Sequence, residues 1–203
     1  MHNTPMSYLI AFDIETTGFS PYEHGLLEVA GVKFRPGEIE FETFHELADP
    51  AVPIPQRVQQ ITGITAEMVA GCRPPIDVLR AFLEWAGPNA HFLAHNAPFD
   101  IRFINATFLN HAEPVPTLRL VDTLPWTRAC FPDLESHALS RVLEHIGAQT
   151  EGLHRALADA MGVRALVLNL LQGEADPADA VARHVMASAL PRRQSLYPDS
   201  MID

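Results

Sequence analysis

The chain has 203 residues, 47% of them hydrophobic, and a formal net charge of −11 from 14 Lys and Arg against 25 Asp and Glu. That length and apolar content suit one domain with a substantial core, and no stretch reaches the ~18 apolar residues of a membrane span. The acidic balance argues against a protein that holds nucleic acid through a broad basic surface, although bound cations could neutralise a local acidic site.

In chain order, Tyr8 to Phe12 is an apolar run without a solvent side, the pattern of a strand buried on both faces. Asp13 and Glu15 end it on one face, roughly 6 to 7 Å apart, with Phe12 and Ile14 on the opposite, core-facing side. Two like charges ~4 Å apart at an effective dielectric near 20 repel by roughly 4 kcal/mol, so something positive is expected beside them. Carboxylate oxygens without Cys or His favour Mg²⁺ or Mn²⁺ over zinc. Alone, the pair reads equally as surface acids capping the next loop.

Thr16 to Gly25 is a polar loop. Leu26 to Phe34 alternates loosely as a strand, and the turn Arg35-Pro36-Gly37-Glu38 leads into Ile39 to Leu47, which predicts an antiparallel meander. Pro55 is placed to open a short helix ending near Gly63, Thr65 to cap the next turn, and Ile76, Leu79, Phe82 and Leu83 mark a helix closed by Gly87-Pro88. His91 to His95 is a short buried-strand candidate. Asn96 suits a cap and Pro98 a first turn, which puts Asp100 at the start of a helix beyond a strand's carboxyl end, where functional residues of α/β folds gather. Leu118 to Asp122 is a fifth strand, Leu139 to Ile146 an amphipathic helix, and Arg155 to Leu171 a long final helix. The Ala-rich segment after Gly173 is expected to be helical to about Ala189, with a frayed tail from Pro191.

Taken together, FDIETTG at 12–18, AHNAPFD at 94–100 and LHRALADA at 153–160 resemble, in order and approximate spacing, the three exonuclease motifs of the DEDD superfamily. His154 and Asp159, five residues apart, match its DEDDh subgroup, which includes the proofreading subunit of bacterial DNA polymerase III and several RNA-trimming 3′-to-5′ exonucleases. VQQITGIT at 58–65, VDTL at 121–124 and HALSRVLEHIGA at 137–148 extend the likeness across Tyr8 to Leu171. The resemblance implies an α/β, ribonuclease H-like fold with a five-stranded mixed sheet flanked by helices, residues 1–173 forming the domain and 174–203 an extension.

It further implies Asp13, Glu15, Asp100 and Asp159 as metal-binding carboxylates for two Mg²⁺ or Mn²⁺ ions that clamp the scissile phosphate, with Asp13 bridging them and His154 as general base. Thr16, Ile61, Thr62, Asn96 and Phe99 are its implied contacts to a single-stranded 3′ end. Thr62 departs from the His common in polymerase-associated members, and plain core packing is an equal reading for Phe99 and Ile61. The spacing adds its own information: five steps of about 100° separate His154 and Asp159 by roughly 140° on a straight helix, so one must lie off it. Gly152 makes His154 the loop residue.

Other residues carry less. Asp122, a strand-end Asp before Thr, reads as a turn or helix cap; His95 reads as a satisfied buried histidine. Glu38, Glu40, Glu42 and Glu46 read as a solvated sheet face, and Arg192 and Arg193 are too few for a nucleic-acid tail. Cys72 and Cys130 lie far apart without a partner pattern, which fits a reduced compartment. The MHNTPMSYL start lacks the basic region and apolar core of a signal peptide, so a cytoplasmic protein is expected. The sequence supports a metal-dependent 3′-to-5′ exonuclease releasing nucleoside monophosphates, on DNA as a proofreading-like enzyme or on RNA as a trimming one, with a polymerase or other subunit as partner. Against it stand a catalytically silent binding module of the same fold and a small-phosphoester hydrolase.

Overall fold

In a computed structural model, which describes residues 8–186, five strands form one mixed sheet in the order β3-β2-β1-β4-β5. β1 (Leu9–Thr16), β2 (Leu26–Phe34) and β3 (Phe41–Leu47) make the antiparallel meander, while β4 (His91–Ala94) lies parallel to β1 and β5 (Arg119–Asp122) parallel to β4. Parallel neighbours need long crossovers. The chain supplies them as α1 (Gln56–Thr62), α2 (Ala66–Val69) and α3 (Pro75–Ala86) before β4, and α4 (Pro98–Asn110) before β5. α5 (Thr123–Cys130), α6 (Leu139–His145), α7 (Ala156–Leu170) and α8 (Pro177–Arg183) complete the described residues. This is the expected five-stranded mixed sheet flanked by helices.

Both faces of the sheet are covered. Ile10, Phe12, Ile14, Val29 and Phe92 pack against Phe82 of α3 and Phe103 and Ile104 of α4, with Phe12, Phe82 and Phe92 in mutual ring contact. On the other face Leu9, Ala11, Val32 and Leu93 meet Ala160, Val163 and Val167 of α7 and Val142 and Leu143 of α6. Alternation along β1 therefore continues the Leu9 and Ala11 series into Asp13 and Glu15, so both carboxylates point to the side that α7 covers.

Two local expectations are corrected. β2 does not follow the loose alternation expected of it: apart from Lys33 it is buried throughout, because it lies second from the edge with α3 on one face and α7 on the other. Asn96 is not a side-chain cap. Ala97 occupies the cap position of α4, and Asn96 instead adopts a left-handed backbone (φ 67°), its N–H donating to Asp122 Oδ1 at 2.9 Å. Asp122 is the helix cap its place before Thr123 suggested: the stretch after β5 is helical from Thr123, and the Leu124 amide donates to Asp122 Oδ1.

α8 ends at Arg183, short of the expected helix. Residues from 187, including the expected continuation to Ala189, the tail from Pro191, and Arg192 and Arg193, lie outside the described residues. The segment that is described is docked, not detached: Val181 is buried against α7's face of the sheet, His184 stacks on Trp126, and Met186 N–H donates to Leu120 O.

Candidate active site

The site forms where β1 emerges between α4 and α7. Carboxylate oxygens of Asp13 and Glu15, on β1, and of Asp159, on α7, all come within 4.8 Å of one another. Asp100 joins from the first turn of α4, buried, with Oδ1 lacking a hydrogen-bond partner. His154 stands just before α7, exposed and off the helix as its spacing predicts, with a left-handed backbone (φ 70°) and its N–H donating to Asp159 Oδ2 at 2.9 Å. Thus β1, α4 and α7 each deliver one motif to one place.

The electrostatics are those of anions forced together. Burial, then the charges of Asp100, Asp159, Glu15 and Glu28, raise the Asp13 carboxyl well above its ordinary range. Burial and the Asp159 and Glu28 charges push Glu15 to about 8. Asp100 also rises to about 8, chiefly by burial, opposed by the backbone amides of Asp100 and Ile14 and reinforced by Asp122 and Asp159. Burial raises Asp159 as well, although the His154 amide opposes it. A hard, all-oxygen donor set that repels itself and leaves one buried carboxylate oxygen unpaired fits a divalent cation of the Mg²⁺ or Mn²⁺ kind.

The expected substrate-contacting residues are placed less uniformly. Thr16 is buried and its hydroxyl donates to Gly18 O at 2.6 Å. Thr62 is also buried, donating to Val58 O and accepting from the Ile64 amide, so its hydroxyl is committed to the end of α1. Ile61 on α1 and Asn96 before α4 are exposed. Phe99 is half-buried, with its ring 5.2 Å from Phe103 and 6.4 Å, edge-on, from Phe19.

Phe19 is one residue that sequence reasoning missed: it is 85% exposed, a bare ring in the loop that follows the first motif. Glu28 is another. It pairs with Glu15 across the β1–β2 ladder, is fully buried, and accepts from Arg155, His45 and the Ala156 amide. Burial works to raise its carboxyl, but these hydrogen bonds prevail and hold it below the ordinary value. The available signal was a single Glu inside the apolar run LLEVAGVKF, since a charge within a doubly covered strand must find partners. His95 is satisfied by Thr123 Oγ1 and His137 O, in keeping with its structural reading.

Comparison with known proteins agrees with this geometry. Residues 10–166 match the RNase T family, described as exonuclease. The DNA polymerase III PolC-type of Clostridium perfringens is 40% identical over 152 residues, 74% of this chain and 10% of the polymerase. The PolC-type polymerase of Listeria monocytogenes is 36% identical over 161 residues, 79% of this chain and 11% of that one. The chain thus spans about a tenth of the length of these relatives. Among solved structures, exonuclease X in complex with 5′-overhanging duplex DNA aligns at TM-score 0.70 and 24% identity over 86% of this chain and 98% of the other. The nuclease domain of 3′hExo, a DEDDh family member bound to rAMP, aligns at TM-score 0.73 and 20% identity over 83% and 94%.

Proposed function

This chain belongs to the RNase T exonuclease family, and we propose that it is a 3′-to-5′ exonuclease of DEDDh type that hydrolyses DNA 3′ ends to nucleoside monophosphates in a proofreading-like role. The observation that carries the reading is the convergence of Asp13, Glu15 and Asp159 within 4.8 Å, with Asp100 and His154 beside them. Asp13, Glu15, Asp100 and Asp159 would hold two divalent ions. When bound, such ions supply Lewis-acid activation of water and stabilise charge on the departing 3′ oxygen.

The chain's own residues do the rest. His154 takes the proton of the attacking water on an unprotonated ring nitrogen. Phe99, with Phe19 against its edge, offers an exposed aromatic surface for the terminal base. Ile61 packs against the sugar or base, and Asn96 and Thr16 line the approach. DNA is favoured over RNA because the similar sequences are named DNA polymerases. A polymerase is the proposed partner and the cytoplasm the proposed compartment, consistent with free thiols at Cys72 and Cys130.

The test uses 5′-labelled single-stranded DNA, duplex DNA with a mismatched 3′ end, and RNA, each with Mg²⁺, Mn²⁺ or excess EDTA. Shortening from the 3′ end with metal and none in EDTA is expected, faster on DNA. Faster cleavage of RNA would replace proofreading with trimming. Hydrolysis undiminished in EDTA would remove the metal mechanism, and a pure chain inert on every substrate would leave a binding module.

A further inference from the structure

Glu28 stands outside the five residues assigned to the reaction, yet it holds together the segment that carries two of them. Its carboxylate is fully buried on β2. Arg155 clamps it, Nε at 3.1 Å from Oε1 and 3.2 Å from Oε2 and Nη2 at 2.6 Å from Oε1; the Ala156 amide donates to Oε2 at 2.8 Å, and His45 Nε2 lies 2.6 Å from Oε1. Ala156 is the first residue of α7, and Arg155, at the cap position, makes no side-chain cap of its own. The first amides of a helix have no partner within it. Glu28 therefore caps α7 from another element, 128 residues away in sequence.

Two carboxylates thus fix three consecutive residues. Asp159 holds the His154 amide, and Glu28 holds the Arg155 guanidinium and the Ala156 amide. His154 sits between in a left-handed conformation that a side chain with a Cβ adopts only where its surroundings impose it. Resting on the exonuclease reading above, we infer that Glu28 is a positioning residue: by clamping Arg155 and capping Ala156 it sets where α7 starts, and so holds His154 in register with Glu15 and Asp159. Without its second carboxylate oxygen the Ala156 amide and the Arg155 guanidinium compete for one acceptor, and Arg155 is drawn toward Glu15, whose charge already acts on it.

The test is Glu28→Gln, which keeps the shape and replaces one acceptor oxygen by a donor facing other donors. In single-turnover hydrolysis with Mg²⁺ the rate should fall about 10- to 100-fold, as for displaced supporting groups, with KM for a single-stranded oligonucleotide nearly unchanged. The Ala156 amide should exchange with solvent on the order of tenfold faster, the loss of about one hydrogen bond. The deciding measurement is the cycle with His154→Ala: once the base is gone, Glu28→Gln should slow the reaction by less than about threefold, whereas two independent losses multiply in full. Should Glu28→Gln fail to fold, Arg155→Gln, which removes the clamp and spares the cap, is read in the same cycle. A wild-type rate for the variant that folds, or full multiplication with His154→Ala, overturns the inference and leaves the exonuclease intact. A His154→Ala enzyme as fast as wild type would instead remove His154 as base, while the amide exchange still reports the cap.

Discussion

Beside Asp13 and Asp159, Glu15 and Asp100 are two of the carboxyls through which pH acts on the metal-free protein. Both are raised to about 8 in the folded state, from ordinary values of 4.5 and 3.8. Folding therefore takes up protons in that interval: their contribution to stability is fully present below the ordinary values and is lost as pH rises through about 8. Thermal denaturation in EDTA should show a melting temperature falling from pH ~5 to ~8, with a shallower slope in Glu15→Gln; a slope unchanged by the substitution counts against the charge crowding. By the same reasoning Asp13→Asn should melt higher than wild type in EDTA, since it removes one anion from the cluster, while losing turnover by orders of magnitude with Mg²⁺. His154→Ala should slow the chemical step by about 10² to 10⁴ with little change in substrate binding. Stopped or quenched single-turnover kinetics at saturating enzyme measures this directly.

At the scale of elements, the site depends on how closely helices approach the sheet. Gly31 of β2 allows α3 to lie against it: a Cβ there would stand 2.7 Å from Phe82 Cε2 and 3.0 Å from Trp85 Cζ3, ring atoms wedged in the cluster with Phe12, Phe44 and Phe92. Rings so packed cannot swing aside, so Gly31→Ala should destabilise the fold by about 1 to 3 kcal/mol. Urea denaturation with an unchanged m-value checks this, and a variant as stable as wild type would show that α3 has room to move. On the opposite face Ala160 of α7 packs in one cluster with Leu9, Ala11 and Val32 of the sheet, while Gly162 makes room for α6, where a Cβ would stand 2.7 Å from Leu143 Cδ1; this seat carries Asp159 to β1.

For the whole molecule, the balance of 14 Lys and Arg against 25 Asp and Glu governs how a strand is held. A protein that tracked a long strand would need several phosphate contacts, each adding nearly one unit to the slope of log affinity against log salt. Here the best-placed cation, Arg155, is spent on Glu28, and Arg73, Arg80 and Arg183 are paired with acids. Grip is expected on the last few nucleotides only, through the carboxylate site and the Phe19 and Phe99 rings. With excess unlabelled competitor, a long labelled strand should shorten as a distributive ladder, with a monovalent-salt slope corresponding to about one to three phosphates. Complete conversion of long strands in one encounter by the isolated chain is incompatible with this account.

What the sequence determined by itself was whatever local chemistry and periodicity encode. Apolar runs ending in Asp13 and Glu15, Pro98 opening a helix before Asp100, and the five-residue step from His154 to Asp159 are short-range patterns, so the strands, most helices, the loop position of His154 and the acids that gather where β1 emerges were legible. The structure alone decided what depends on layers meeting. β2 read as a loosely alternating strand because coverage by α3 and α7 is not written in its own residues. Phe19 was invisible because exposure is a property of the assembled surface. Glu28 could be seen as an odd charge in an apolar strand, but its partners Arg155 and Ala156 lie more than a hundred residues away, and only the packing of α7 across the meander brings them within a hydrogen bond.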